Sequence, residues 1–254
     1  MIEALRVAVL AVLQGVAEFL PISSSGHLVI GRHFLGLSDA GLRLDVFLHV
    51  GTLAAVFVFY RRTIVRIVVM REWAYALKIV LSAVPVGIVG VLLRHQIEGA
   101  FSAPRAVACA LLFTGVVLIA TRWLRRGAKD VTWLNALVTG LAQAVAILPG
   151  VSRSGMTISA ARTMGISPVK AAEFSFLMSA PPIAGAALLD VLSLGSEGAA
   201  ASSTPWALVM FGCVLSAVVG YFSLKVLVKT LDSDKFWLFG PYCLVASAAL
   251  LAFA

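Results

Sequence analysis

The sequence predicts an all-α polytopic membrane protein: an inverted-topology repeat with about six full transmembrane helices and two re-entrant helical hairpins. Three observations predict it. First, 61% of the 254 residues are hydrophobic, 13% are charged and mean hydropathy is +1.01. Apolar stretches of spanning length recur along the whole chain rather than in one anchor. Second, two apolar stretches break on Pro/Ser/Gly turns, at Pro21–Gly26 and Pro149–Gly155. Third, the two halves superpose without a gap, Gln14 on Gln143, at an offset of 129 positions.

Taken in order, residues 4–20 predict an apolar helix of about 17 residues, roughly 25 Å long at 1.5 Å per residue. That is short for a crossing, and Pro21 disfavours helix at Leu20. Ser23, Ser24, Ser25 and Gly26 begin a second short piece ending near Gly36. Such a pair of short helices is tolerated in a membrane only where protein or water satisfies the broken backbone. Full spans are expected at about 43–60, 74–93 and 106–121. The second half reads likewise: a short helix at 132–148, the Pro149–Gly155 turn, a short piece to about 165, and spans near 171–192, 205–228 and 237–253. Pro85, Pro181 and Pro182 are expected to kink their spans. Trp73, Trp123, Trp133, Trp206 and Trp237 fall near span ends, as interfacial anchors do. The first helix lacks a basic leader and a cleavage site and is expected to be retained. The organisation is a single membrane domain over 1–254, with repeat 1 at about 1–125 and repeat 2 at about 130–254.

At the offset of 129, Val16, Ala17, Ser23, Ser25, Gly26, Gly36, Phe47 and Leu48 also meet identical residues. Three spans per repeat invert the second copy relative to the first, so the broken hairpins enter from opposite faces and meet near the midplane. Arg61, Arg62, Arg66 and Arg71 crowd one connection; Arg122, Arg125, Arg126 and Lys129 crowd another; Lys225, Lys229 and Lys235 mark a third. Residues 193–204 contain no Lys or Arg. Placing the basic connections in the cytoplasm puts both termini outside. This bias accounts for the net charge of +8, and no aromatic-interleaved basic patch points to nucleic acid. Cys109, Cys213 and Cys243 lie in apolar stretches without paired spacing and are expected as small buried side chains.

Arg153 is the residue hardest to place in a membrane, because an unpaired arginine at depth costs several kcal/mol. Its turn also carries Ser152, Ser154, Thr157 and free amides, a donor set suited to phosphate. In the first hairpin, Gln14 and Glu18 are four apart on one helical face. Glu18 is placed to bind a cation, pair with Arg153 or move a proton. Ser23, Ser24 and Ser25 line the break, and His27 follows Ser24 by three, a spacing that suits a hydroxyl nucleophile and its base. The offset sets Ser24 against Arg153, Glu18 against Ile147 and His27 against Met156. One half therefore supplies acid, base and hydroxyl, and the other the positive charge. Asp45 and His49, also four apart, read as a polar pair near an interface or a support for the site. Glu173 reads as a surface partner of Lys170, and Asp39 and Asp190 as helix-end or loop residues.

The run Gln14-Gly15-Val16-Ala17-Glu18-Phe19-Leu20-Pro21-Ile22-Ser23-Ser24-Ser25-Gly26-His27-Leu28 resembles the first signature of the bacterial undecaprenyl-pyrophosphate phosphatases, the bacitracin-resistance family. Leu148-Pro149-Gly150-Val151-Ser152-Arg153-Ser154-Gly155-Met156-Thr157 resembles the second. Asp45 to Arg62 and Phe174 to Pro182 also read like family segments, so the resemblance spans most of the chain. With Gln14 where the family accepts Glu, Glu18 is the one carboxylate of its motif.

The resemblance implies an integral membrane phosphatase that converts undecaprenyl pyrophosphate to undecaprenyl phosphate, recycling the lipid carrier for cell-wall synthesis and raising bacitracin tolerance. It implies a divalent cation, Mg2+ or Ca2+, and a site opening to the outer face of the bacterial plasma membrane. The expected roles are catalytic for Glu18, Ser24, His27 and Arg153. Gln14, Ser23, Ser25, Ser152, Ser154 and Thr157 are expected to bind substrate, and Glu18 to hold the metal. Expected partners are the polyprenyl pyrophosphate and the bilayer, with a homo-oligomer compatible. The rival expectation is a transporter, a flippase for polyprenyl phosphate, because broken helices meeting at the midplane are also a carrier device.

Overall fold

A computed structural model describes residues 2–35, 41–101, 103–196 and 204–253. Gly36, Asp39 and most of the 193–204 connection lie outside the described residues. The described chain is helical: α1 Ile2–Ala17, α2 Ser24–Leu35, α3 Gly41–Phe59, α4 Arg61–Val69, α5 Trp73–Leu92, α6 Arg94–Phe101, α7 Pro104–Ala120, α8 Trp133–Val145, α9 Arg153–Thr163, α10 Pro168–Ser196, α11 Trp206–Asp232 and α12 Phe239–Phe253.

Four helices among the described residues are long and apolar enough to cross a membrane: Trp73–Leu92, Pro104–Trp123, Pro168–Leu189 and Trp206–Asp232. α5 has the clearest composition for lipid contact, with Leu77, Val80, Val84, Ile88 and Val91 exposed along it. In water such a stripe would be an interaction liability; in a bilayer it meets acyl chains. This is a multi-pass membrane protein.

Several sequence expectations shift in detail. The Arg61–Arg71 connection is not a loop: no Gly or Pro interrupts it, and it forms α4 until Arg71 adopts φ 54°. Residues 94–101 likewise form the short helix α6. Pro85 sits inside α5, and Pro181 and Pro182 inside α10, with the helix continuing on both sides. Asp190 falls within α10 rather than at a helix end. Of the cysteines only Cys243 is buried, while Cys109 is exposed. Glu173 is no surface partner of Lys170, which pairs with Asp130 instead. It receives the Thr63 hydroxyl at 2.8 Å and lies 3.9 Å from Arg66, tying α10 to α4.

The core sits where the long helices close around the broken ones. Phe19, Phe174, Phe176, Ile158 and Leu224 are wholly buried in one cluster. Val7, Leu10, Leu44, Leu48 and Val209 form a second, between α1, α3 and α11. At Gly51 the backbone of α11 comes so close that any side chain would strike Cys213 and Ser216. That approach lets the Ser216 hydroxyl donate to the Leu48 carbonyl at 2.9 Å, the small-residue packing that joins helices where lipid supplies no hydrophobic drive.

Candidate active site

Each broken hairpin is stopped by local chemistry. α1 ends at Ala17; one further turn of bonding persists, Glu18 N–H to the Gln14 carbonyl at 2.9 Å and Leu20 N–H to Val16 at 3.0 Å. Pro21 then supplies no donor. Ser23 takes φ 70°, reversing the chain, and Ser24 opens α2. In the second hairpin Gly150 takes φ +93°, and a Cβ there would lie 2.8 Å from the Ala110 methyl carbon. Only glycine suits both constraints. Ser152 then caps α9, its hydroxyl accepting the Gly155 N–H at 3.1 Å. Arg153 is therefore the first residue of α9 rather than the middle of a turn.

The two breaks touch. A Cβ added at Gly155 would sit 3.3 Å from Pro21 Cβ, and one at Gly26 would sit 3.9 Å from Gly150 Cα. Across this contact Arg153 Nη2 forms an ion pair with Glu18 Oε1. A cation at a helix N-terminus opposes the helix dipole, and the carboxylate offsets that. Glu18 Oε2 accepts from Ser24 Oγ at 2.8 Å and from Gln14 Nε2 at 3.2 Å. His49 Nε2 stands 3.8 Å from the same oxygen. Its Nδ1 lies 2.9 Å from the Asp45 carbonyl, which can only accept, so Nδ1 carries the proton. Glu18 is 9% exposed, the Arg153 side chain 17%.

An aromatic floor lies beneath. The Arg153 guanidinium carbon is 5.6 Å from the Phe176 ring centroid. Phe176 meets Phe19 edge-on at 5.4 Å and Tyr60 at 6.4 Å. These rings keep the pair out of water on that side, which strengthens its electrostatics. Arg153 Nη1 is buried and has no hydrogen-bond partner. Buried donors are rarely left so, and the residue that carries this one opens α9, where the first N–H groups lack intrahelical acceptors.

Of the residues expected at the site, the structure brings Gln14, Glu18, Ser24 and Arg153 together. The remainder stand differently. His27 does not face Ser24: its Nδ1 lies 2.8 Å from the Ser23 carbonyl and its Nε2 2.6 Å from the Tyr242 hydroxyl. Ser23 and Ser25 hydroxyls lie 3.3 Å apart. Ser152 and Ser154 are buried behind the turn with their hydroxyls 3.4 Å apart, and Ser152 N–H donates to Thr114 at 3.1 Å. The Thr157 hydroxyl lies 2.5 Å from that of Ser175 and donates to the Arg153 carbonyl at 2.8 Å, so it braces α9 on α10. His49 and Phe176 are the neighbours that motif reasoning underweighted. The available signal for His49 was an imidazole well inside an apolar 19-residue helix.

Among the described residues Glu18 is the one carboxylate paired with Arg153, and no group of three His, Cys, Asp or Glu could hold a metal. Both Glu18 oxygens already accept from Arg153, Ser24 and Gln14, so a divalent ion here would need most of its oxygen ligands from outside the protein.

Interrupted helices meeting inside an apolar helical bundle, at a part-buried Glu18–Arg153 ion pair with one unused guanidinium donor, define a multi-pass membrane protein with a polar centre. The chain belongs to the family described as Bacitracin resistance protein BacA, whose profile matches residues 7–249. Its relatives include proteins named undecaprenyl-diphosphatase. The one from Desulfatibacillum aliphaticivorans is 37% identical over 272 residues, covering 97% of each chain. That from Halothermothrix orenii is 37% identical over 261 residues, covering 99% of this chain and 98% of its own. That from Pelobacter propionicus is 40% identical over 265 residues, covering 98% and 96%.

Proposed function

We propose that this chain is an undecaprenyl-diphosphatase, hydrolysing the lipid diphosphate to undecaprenyl phosphate and inorganic phosphate and so returning the carrier to cell-wall synthesis. The observation that carries the reading is the Glu18–Arg153 pair across the two breaks, with Arg153 Nη1 left without an acceptor. Near-full-length similarity to relatives bearing that name supports the substrate.

Arg153 holds the terminal phosphate, using Nη1 and the first N–H groups of α9, and charge developing on the equatorial oxygens is stabilised there. The Ser24 hydroxyl, already donating to Glu18 Oε2, attacks the terminal phosphorus while Glu18 accepts its proton. An Oγ–P bond forms, the bond to the bridging oxygen breaks, and undecaprenyl phosphate leaves. Water then cleaves the phosphoserine and restores Ser24. Gln14 holds Glu18 in orientation, and His49 stands beside it as a second proton carrier. His27 has a different part here, fixing the start of α2 against α12 through Ser23 and Tyr242. A divalent cation, Mg2+ or Ca2+, would be held by Glu18 together with substrate oxygens, and would screen the diphosphate charge.

The architecture belongs to the same proposal: one membrane domain, two repeats at about 1–125 and 130–254, six spans and two re-entrant hairpins. Ser24 and Arg153, which open α2 and α9, are 129 positions apart (153 less 24), the offset at which the halves superpose. α3 and α12 would be the two further spans, lying beyond the four that length and composition identify. With Arg61, Arg62, Arg126 and Lys229 cytoplasmic, the site opens outward, in the bacterial plasma membrane. The Glu18–Arg153 pair is formed within one chain, so a homo-oligomer would repeat it rather than build it.

The test is phosphate release from a polyprenyl diphosphate by purified protein in detergent with Mg2+ or Ca2+. Release with a single compartment is expected. Binding without release would overturn the enzyme in favour of a carrier, for which no observation speaks.

A further inference from the structure

A second recess lies towards the basic, C-terminal end of α11. Phe59, Val169, Lys225, Val228, Lys229 and Asp232 line an open cleft of about 390 Å³ between α3, α10 and α11. Ligand clefts commonly begin at about 300 Å³. Half of its lining is apolar, from Phe59, Val169 and Val228, and half is charged, from Lys225, Lys229 and Asp232.

That charge is not balanced. Asp232 is the one acidic group lining the cleft, and it is already taken. Arg126 Nη2 donates to its carboxylate at 2.5 Å and Nη1 to its carbonyl at 2.9 Å. Two exposed ammonium groups therefore stand beside the apolar lining. The Lys225 ammonium lies 4.7 Å from the Tyr221 ring centroid and 5.4 Å from that of Phe222, which directs it along the helix surface.

From the cleft an exposed apolar stripe runs along α11 through Val226, Phe222, Val218 and Val214, at a spacing of four. Residues so spaced share one helical face. The basic cleft thus lies beside an exposed apolar stripe on the same helix, whose first residue, Val226, adjoins Lys225 in the chain. A freely hydrated phosphate would gain nothing from that stripe or from the apolar lining. An amphiphile would use all three parts.

We propose that this cleft binds the phosphodiester headgroup of an anionic glycerophospholipid from the leaflet on the basic side, its acyl chains lying along the α11 stripe. Basic recesses between membrane helices are suited to such headgroups. The inference does not rest on the hydrolytic reading, because neither lysine of the cleft is bonded to Glu18 or Arg153; Phe59 alone approaches that site, packing on Tyr60 at 4.9 Å.

Native mass spectrometry of the purified chain, titrated with phosphatidylglycerol or phosphatidylcholine, tests it. Phosphatidylglycerol is expected to remain bound and phosphatidylcholine to be lost. The paired substitution Lys225→Gln with Lys229→Gln should weaken phosphatidylglycerol about thirtyfold. Lys225→Arg with Lys229→Arg should retain it, which guards against a merely unfolded variant. Thermal unfolding with and without phosphatidylglycerol should give the same ranking, and phosphatase activity in lipid-free detergent should be unchanged in both variants. Equal retention of the two lipids, undiminished retention in the glutamine variant, or displacement by millimolar inorganic phosphate would each overturn the proposal.

Discussion

Glu18 and Arg153, 135 residues apart in sequence, form an ion pair where the two broken helices meet. Leaving either of two mostly buried charges without the other is costly, so each break in the chain is stabilised by the other.

The first consequence concerns Arg153 itself. Arg153→Lys keeps the positive charge but loses the planar fork that can reach Glu18 and a phosphate together. Phosphate release from the lipid diphosphate should fall about a hundredfold. A rate within a factor of about two of the parent would mean that the guanidinium has another role.

Removing the partner should be felt in stability as well as rate. Glu18→Ala leaves a mostly buried guanidinium uncompensated, a loss of about 3 kcal/mol. Glu18→Gln, which still offers a carbonyl, should lose less. Thermal unfolding in detergent would show the ranking, and equal midpoints for the two variants would contradict it.

Ser24 is expected to carry the phosphoryl group. Ser24→Ala should abolish release, and rapid quenching of the parent with labelled substrate should trap phosphoserine at Ser24. Quenching that yields no phosphoserine while product still accumulates would assign the attack to water.

The two histidines should separate. His49→Ala removes the ring beside Glu18 and should lower kcat by about a hundredfold. Tyr242→Phe removes only the hydroxyl on His27 and should change it far less. The reverse order would return the reactive imidazole to His27.

Gly150→Ala asks a residue with Cβ to hold φ +93° against α7. A loss of about 1–3 kcal/mol, read as lower yield and a lower unfolding midpoint, is expected. An unchanged midpoint would show that the turn can relax.

Hydropathy, two Pro/Ser/Gly interruptions and an arginine beside the second were enough to read a polytopic helical protein organised around Glu18 and Arg153. Those features act locally: a proline ends its helix, and a charge in an apolar stretch demands a partner, whatever the remaining chain does. Side-chain direction was not legible in that way. Spacing made His27 a partner for Ser24, but the Ser23 carbonyl and the α12 residue Tyr242 hold its ring elsewhere, while His49 arrives on α3. Thr157 looked like a phosphate donor until α10 brought Ser175 to it, and Glu173 looked superficial until α4 brought Thr63. Hydrogen bonds are decided within a few tenths of an ångström by how helices far apart in sequence are rotated against one another. The residue order along the chain therefore determined which groups had to find partners, and only packing in three dimensions decided which partners they found.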